Sequence, residues 1–237
     1  MIANQVLPIN LPMAENPAEK WQPYPLFSGT TPILQMASHF SVLSAHHSPH
    51  LPHIHPEEEL LIVLDGEADI LISDGPWIEG ARIEHLKAGS FVYYPRGQHH
   101  TIDNTGDDPV TYLMFKWQCA RDTSAQPLGT TFFHFDKHLH NVSSDDGFAP
   151  QLLFDHPTAY LGKLHAHVTE LQPGAGYPSH ADPYDVAIVV LSGNIKTVDR
   201  TVGPCGVVFF PAGEMHGMEN VGDAPARYLV FEFHSFD

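Results

Sequence analysis

The segment SAHHSPHLPHIHPEEELLIVLDG, residues 44–66, places five histidines (His46, His47, His50, His53, His55) ahead of three glutamates, Glu57, Glu58 and Glu59. Neutral imidazole nitrogens and carboxylate oxygens are the donors that a divalent transition metal takes. In an extended chain, alternate side chains share a face. His53, His55 and Glu59 have one parity, and Leu61 and Val63 continue that face. Glu57 has the same parity, so on parity alone both carboxylates stay open. His46 and His50 have the opposite parity, and two prolines separate His47 from the rest. These three histidines read as rim or loop residues. One strand cannot surround an ion, so a further donor must come from elsewhere. His100, just after a turn at Pro95 and Gly97, is the natural candidate.

The elements that would position these residues are strands. Short β-branched and aromatic runs recur: LLIVL (60–64), ADILI (68–72), SFVYY (90–94), VTYLMF (110–115), VAIVVL (186–191), GVVFF (206–210) and RYLVFEF (227–233). Clusters such as SDGP, PRG, DNTGDD and VGDAP separate them. Short strands with turn punctuation read as an all-β barrel or sandwich. The chain also repeats itself. Pro95, Gly97, His100 and Asn104 reappear as Pro211, Gly213, His216 and Asn220, with similar strands on both sides. That match reads as a tandem duplication. The join falls within Arg121–Gln151, where RDTSAQPLG looks like linker.

Two motifs carry a resemblance. HIHPEEELLIVLDG fits H-x-H-x3-E-x6-G at His53, His55, Glu59 and Gly66. GSFVYYPRGQHHTIDN fits G-x5-P-x-G-x2-H-x3-N at Gly89, Pro95, Gly97, His100 and Asn104. In both, the sequence resembles the cupin superfamily, and in its duplication a two-domain bicupin. The resemblance implies two tandem jelly-roll (double-stranded β-helix) barrels, residues 1–125 with an extended N-terminal arm and residues 126–237. It implies a 3-His/1-Glu metal centre in the first barrel, at His53, His55, Glu59 and His100. It selects Glu59 over Glu57 and His100 over His99. His47 stands where the family pattern has glycine, which bears on the approach to the strand.

Four protein donors on an octahedral ion leave two adjacent positions open. The expectation is a metal-dependent enzyme acting on a small organic molecule, with a non-haem dioxygenase-type oxidoreductase using iron favoured. The alternatives are an isomerase, decarboxylase or hydrolase working through Mn, Ni, Zn or Cu, and a non-catalytic binder of a sugar or small acid.

The second copy departs from the first motif. Gly174 precedes His180 as in the family, but Asp182 replaces the second histidine and Val186 the glutamate, before Gly193. Gly206 lies one residue too close to Pro211. His180, Asp182 and His216 survive, and the reading is a metal-free stabilising barrel, with a weak or different site as the alternative. His165 and His167 share a strand face and read as core or surface residues. Phe91, Tyr93, Tyr94, Met114, Phe115 and Trp117 are candidates for the wall of the first site, and Arg96 for a turn residue in solvent.

Composition limits the partners. Among 237 residues, 28 acids against 11 bases give a net charge of −17. That excludes the clustered basic surface of a nucleic-acid binder and of a protein drawn to anionic membranes. The longest apolar run is far too short to span a bilayer. Two cysteines, Cys119 and Cys205, without CxxC spacing fit a reducing cytoplasm. The arm over residues 1–30 could pack on its own barrel or on a neighbour's in a homo-oligomer.

Overall fold

A computed structural model describes residues 1–9, 19–120, 127–134 and 147–236. The described residues form strands, turns and loops, with no α-helix among them. The first ten strands are β1 (Gln5–Leu7), β2 (Trp21–Thr30), β3 (Gln35–Leu43), β4 (Glu58–Asp65), β5 (Glu67–Ser73), β6 (Arg82–Lys87), β7 (Phe91–Tyr94), β8 (His99–Asp103), β9 (Val110–Gln118) and β10 (Thr131–Phe133). The remainder are β11 (Phe148–His156), β12 (Lys163–Leu171), β13 (Gly176–Ala181), β14 (Asp185–Ser192), β15 (Ile195–Thr197), β16 (Arg200–Val202), β17 (Val207–Phe210), β18 (Met215–Asn220) and β19 (Ala226–His234).

Each half builds a six-stranded sheet and a smaller one. The first unit has the order β10-β7-β4-β9-β3-β2, with a three-stranded sheet β6-β5-β8. The second has β1-β17-β14-β19-β12-β11, with a four-stranded sheet β13-β18-β15-β16. β4 reads as an unbroken apolar run because it is central and buried on both faces. β2, at the edge, alternates exposed and half-buried residues. Leu61, Val63, Ile70, Val92, Ile102 and Tyr112 fill the interior of the first barrel. Val186, Ile188, Val190, Val208, Phe210 and Val230 fill the second. Burying each such side chain stabilises the fold by about 1.5–3 kcal/mol.

The expected contiguous division at 125/126 differs from the pairing at both ends. β1 pairs with β17, so Gln5–Leu7 complete the second barrel's sheet. β10 pairs with β7, so Thr131–Phe133 complete the first. The compact units are accordingly discontinuous, with residues Gly29–Leu34 also belonging to the second. In that unit the Thr31 hydroxyl donates to buried Asp185 at 2.6 Å. Of the expected linker, residues 121–126 lie outside the described residues.

The duplication extends to details of the backbone. Gly66 and Gly193 both have positive φ, 79° and 77°. A Cβ on either would lie 2.9 Å or less from backbone of the strand alongside, Pro109 or Ala226. The motif asparagines clasp turns. The Asn104 amide donates to the carbonyls of Leu43, Ser44 and Asp108, and that of Asn220 to Leu171 and Ala224. Where glycine seemed misplaced before Pro211, Cys205 holds the left-handed position at φ 64°, in the role of Gly89. The turn ahead of the first motif is likewise kept, with His46 at φ 53°. The two-residue turn between β15 and β16 puts Val198 (φ 46°) and Asp199 (φ 61°) in the same region, a costly conformation for a β-branched side chain.

Candidate metal centre

His53, His55 and His100 come together: their ring nitrogens lie within 4.8 Å of one another. β4 starts only at Glu58, so His53 and His55 sit on the loop before it rather than on the strand itself. That loop is stitched to β8. His53 and His100 exchange backbone hydrogen bonds of 3.1 and 3.2 Å, and the Gly97 amide donates to the His55 carbonyl. Glu59 is fully buried on β4, whereas Glu57 is half-buried and contributes its backbone carbonyl. Parity alone leaves Glu57 and Glu59 open; Glu59 is the one whose carboxylate lies within 2.9 Å of His55 Nε2, and the two histidines owe their positions to the bridge.

Hydrogen bonds fix the tautomers. His55 Nδ1–H donates to the Glu57 carbonyl (3.0 Å) and His100 Nδ1–H to the Gln98 carbonyl (2.8 Å). In the neutral form of each ring, Nε2 is then the nitrogen that carries the lone pair. Tyr94 stacks on His100 with centroids 4.0 Å apart and sets the plane of that ring. His55 Nε2 lies 2.9 Å and His100 Nε2 3.7 Å from Glu59 Oε2. A lone pair facing a carboxylate oxygen needs a proton or a cation between them. His100 Nε2 and two further atoms, His53 Nδ1 and Glu59 Oε1, are buried without a hydrogen-bond partner. Leaving each one so costs about 1–3 kcal/mol. This donor set, three imidazoles and a carboxylate, fits a divalent transition metal.

The electrostatics suit that role. Burial alone would raise the Glu59 pKa, but the imidazoles of His100 and His55, with Lys116 nearby, hold it well below the usual carboxylate range. Burial and the neighbouring His50, His100 and Lys116 push His53 down to about 4, which leaves it neutral.

Lys116 was not foreseen. β4 and β9 pair Glu59 with Lys116, and Lys116 Nζ lies 3.1 Å from Glu59 Oε2. Its parity with Tyr112 and Met114 was the available signal. A cavity of about 320 Å³ opens beside these groups, lined also by Trp21, His39, His50, Ile102 and Met114. His50 is exposed at this cavity's lining, as a rim residue would be, and its ring packs 4.2 Å from that of His53. Of the six residues expected around the site, Met114 lines the cavity and Tyr94 backs His100. Phe91, Tyr93, Phe115 and Trp117 take the other face of the sheet, where Tyr93 and Trp117 donate to buried Glu58. Arg96 is exposed on its turn.

In the second unit, His180, Asp182 and His216 also gather within 4.8 Å, and His165, His167 and Glu232 form another group. Cys119 and Cys205 are both free of disulfides and half-buried. No helix among the described residues is long and apolar enough to cross a membrane.

The sequence profile of the cupin domain matches residues 40–116 and 167–232. No curated protein matches the chain. Among solved structures, a Pseudomonas aeruginosa protein named for induction by glyoxylate is similar with a TM-score of 0.72 and 14% identity, over 100% of this chain and 90% of that one. A cupin 2 conserved barrel domain protein from Leptotrichia buccalis follows at 0.68 and 12%, over 98% of each chain. An oxalate decarboxylase from Lactobacillus farciminis, solved with formate, is similar at 0.61 and 16%, over 85% of this chain and 77% of that one. At these identities the likeness is one of fold.

Proposed function

Because this chain belongs to the cupin family, with two cupin domains in tandem, we propose that its first barrel is a metal-dependent active site for a small organic molecule. The observation that carries this reading is the gathering of His53, His55 and His100 within 4.8 Å, with Glu59 Oε2 2.9 Å from His55 and 3.7 Å from His100, beside a cavity. A barrel needed only for stability gains nothing from that gathering. His53, His55, Glu59 and His100 would hold the ion. A divalent metal supplies Lewis acidity there and, if it is iron, electrons for dioxygen.

The chain's own residues do the rest. The carbonyls of Glu57 and Gln98 orient two of the imidazoles. Trp21, Ile102 and Met114 keep the cavity apolar, which strengthens every charge interaction inside it. With only four protein donors, a bound iron would have room for both substrate and dioxygen, so the favoured class is a dioxygenase-type oxidoreductase with iron. Lys116 favours a second reading. It is the one lysine or arginine lining this cavity among the described residues, and it would attract a carboxylate or polarised carbonyl. That suits an isomerase, decarboxylase or hydrolase, and the fold likeness to an oxalate decarboxylase is compatible with it.

The test is to strip the protein, reload it singly with Fe(II), Mn(II), Ni(II) or Zn(II), and screen small carboxylates and enolisable carbonyl compounds with and without oxygen. Oxygen uptake confined to the Fe(II) form supports the dioxygenase. Anaerobic turnover supports the second reading. A compound held unchanged for hours under every condition makes the barrel a binding module instead.

A further inference from the structure

The second barrel has a pocket of about 360 Å³ that is more negative than the first. β14 and β19 pair Val186 with Glu232, at the place where β4 and β9 pair Glu59 with Lys116. Asp182 stands in the place of His55. Val186 and Glu232 thus stand where Glu59 and Lys116 do, and with Asp182 the second pocket holds two carboxylates where the first holds a carboxylate and an ammonium. Among the described residues, no lysine or arginine lines this pocket.

The polar atoms there are acceptors. His180 Nδ1–H donates to the Pro178 carbonyl and His216 Nδ1–H to that of Glu214, each at 3.1 Å. Their Nε2 lone pairs lie 3.4 and 3.3 Å from Asp182 Oδ2. Tyr184 lines the same pocket beside Asp182 and Glu232, and its single hydroxyl proton could serve only one carboxylate. The Tyr228 hydroxyl, buried in the wall, has no hydrogen-bond partner. Burial above all raises the Glu232 pKa; His165 and Lys163 work against it and Asp182 adds to it, while His234 Nε2 lies 2.9 Å from Glu232 Oε2 and leaves Oε1 to the pocket. Phe148, Tyr177 and Tyr228 supply aromatic faces, which attract cations.

We propose that the second barrel binds an organic cation, a small molecule with an ammonium or amidinium head and an apolar or aromatic body. Its N–H groups answer the acceptors of His180, Asp182, His216 and Glu232, and its body lies against Phe148 and Tyr177. The negative charge is spread across the pocket. Glu232 groups with His165 and His167, not with His180, Asp182 and His216. That spread matches a head with several donors better than a point ion.

The test uses the full chain, chelated and desalted, in calorimetric titrations with benzamidine, benzylamine, benzyl alcohol and benzoate. Benzamidine or benzylamine should bind once per chain, at least about tenfold tighter than benzyl alcohol or benzoate. Glu232→Gln and Asp182→Asn should each weaken binding about tenfold or more, and Lys116→Met in the first barrel should not. Tyr177→Leu gives a second reading should a carboxylate variant melt without cooperativity. Three results would overturn the proposal: no binding of either cation, equal binding of benzyl alcohol, or a metal equivalent that Asp182→Asn removes and His100→Ala retains.

Discussion

Lys116→Met should destabilise the metal-free protein and tighten its hold on metal. Glu59 is fully buried, and Lys116 is its nearest full positive charge, 3.1 Å away. Deleting one partner of a buried ion pair costs about 3–5 kcal/mol. The Lys116 side chain is 25% exposed, so water reaches it and screening lowers the loss to roughly 2 kcal/mol. A divalent cation shared by Glu59 and the three histidines would take over the lysine's role, leaving the loaded variant within about 0.5 kcal/mol of wild type by the same argument. The difference is a coupling between metal and lysine, and by linkage about 1.5 kcal/mol tightens metal binding roughly tenfold. Urea melts of chelated and Mn(II)-loaded protein, wild type and variant, measure the four stabilities, and titration against a competing chelator measures affinity. Equal destabilisation of both forms, or weaker metal binding by the variant, would show that ammonium and metal do not compete for this carboxylate.

Other outcomes follow from the same geometry. His55→Ala or His100→Ala should remove most bound metal while the protein still melts cooperatively, and elemental analysis of purified variants checks it. His180→Ala should leave metal content unchanged, where a halving would reveal a loaded second barrel. Burial pushes His167 down to about 4 from 6.5, so the folded protein keeps it neutral while the unfolded chain takes up a proton. Its contribution is complete above pH 6.5 and is lost as pH falls toward 4. Wild type should therefore lose about 1 kcal/mol more than His167→Asn between pH 7 and pH 5 in urea melts. Val198→Asn should raise stability by about 1 kcal/mol, read as a higher urea midpoint, because asparagine tolerates the left-handed turn that valine resists.

Much of this architecture was legible because local chemistry writes it twice. The run LLIVL reads as a strand, and the paired motifs single out His53, His55, Glu59 and His100 as a candidate ligand set. What escaped notice depends on partners distant in sequence. Lys116 has no motif around it, and its meaning comes from lying opposite Glu59 across two strands. Glu232 was hidden for the same reason, since motif reading follows β14, where Val186 marks a loss, and ignores β19, where a carboxylate returns. β1 and β10 are three-residue strands whose composition says nothing about which sheet they join. The aromatic residues were placed in the right strands, but their register divided them between two faces.

The exchange of short strands also bears on biosynthesis. Gln5 leaves the ribosome roughly 200 residues ahead of its partner Phe209. At translation speeds of about 5–20 residues per second, that segment waits on the order of ten to forty seconds for the strand it must join. The later barrel therefore cannot close its sheet until nearly all of this sequence has been made. A fusion partner attached ahead of Gln5 would burden the half of the molecule that lies farthest from it along the chain.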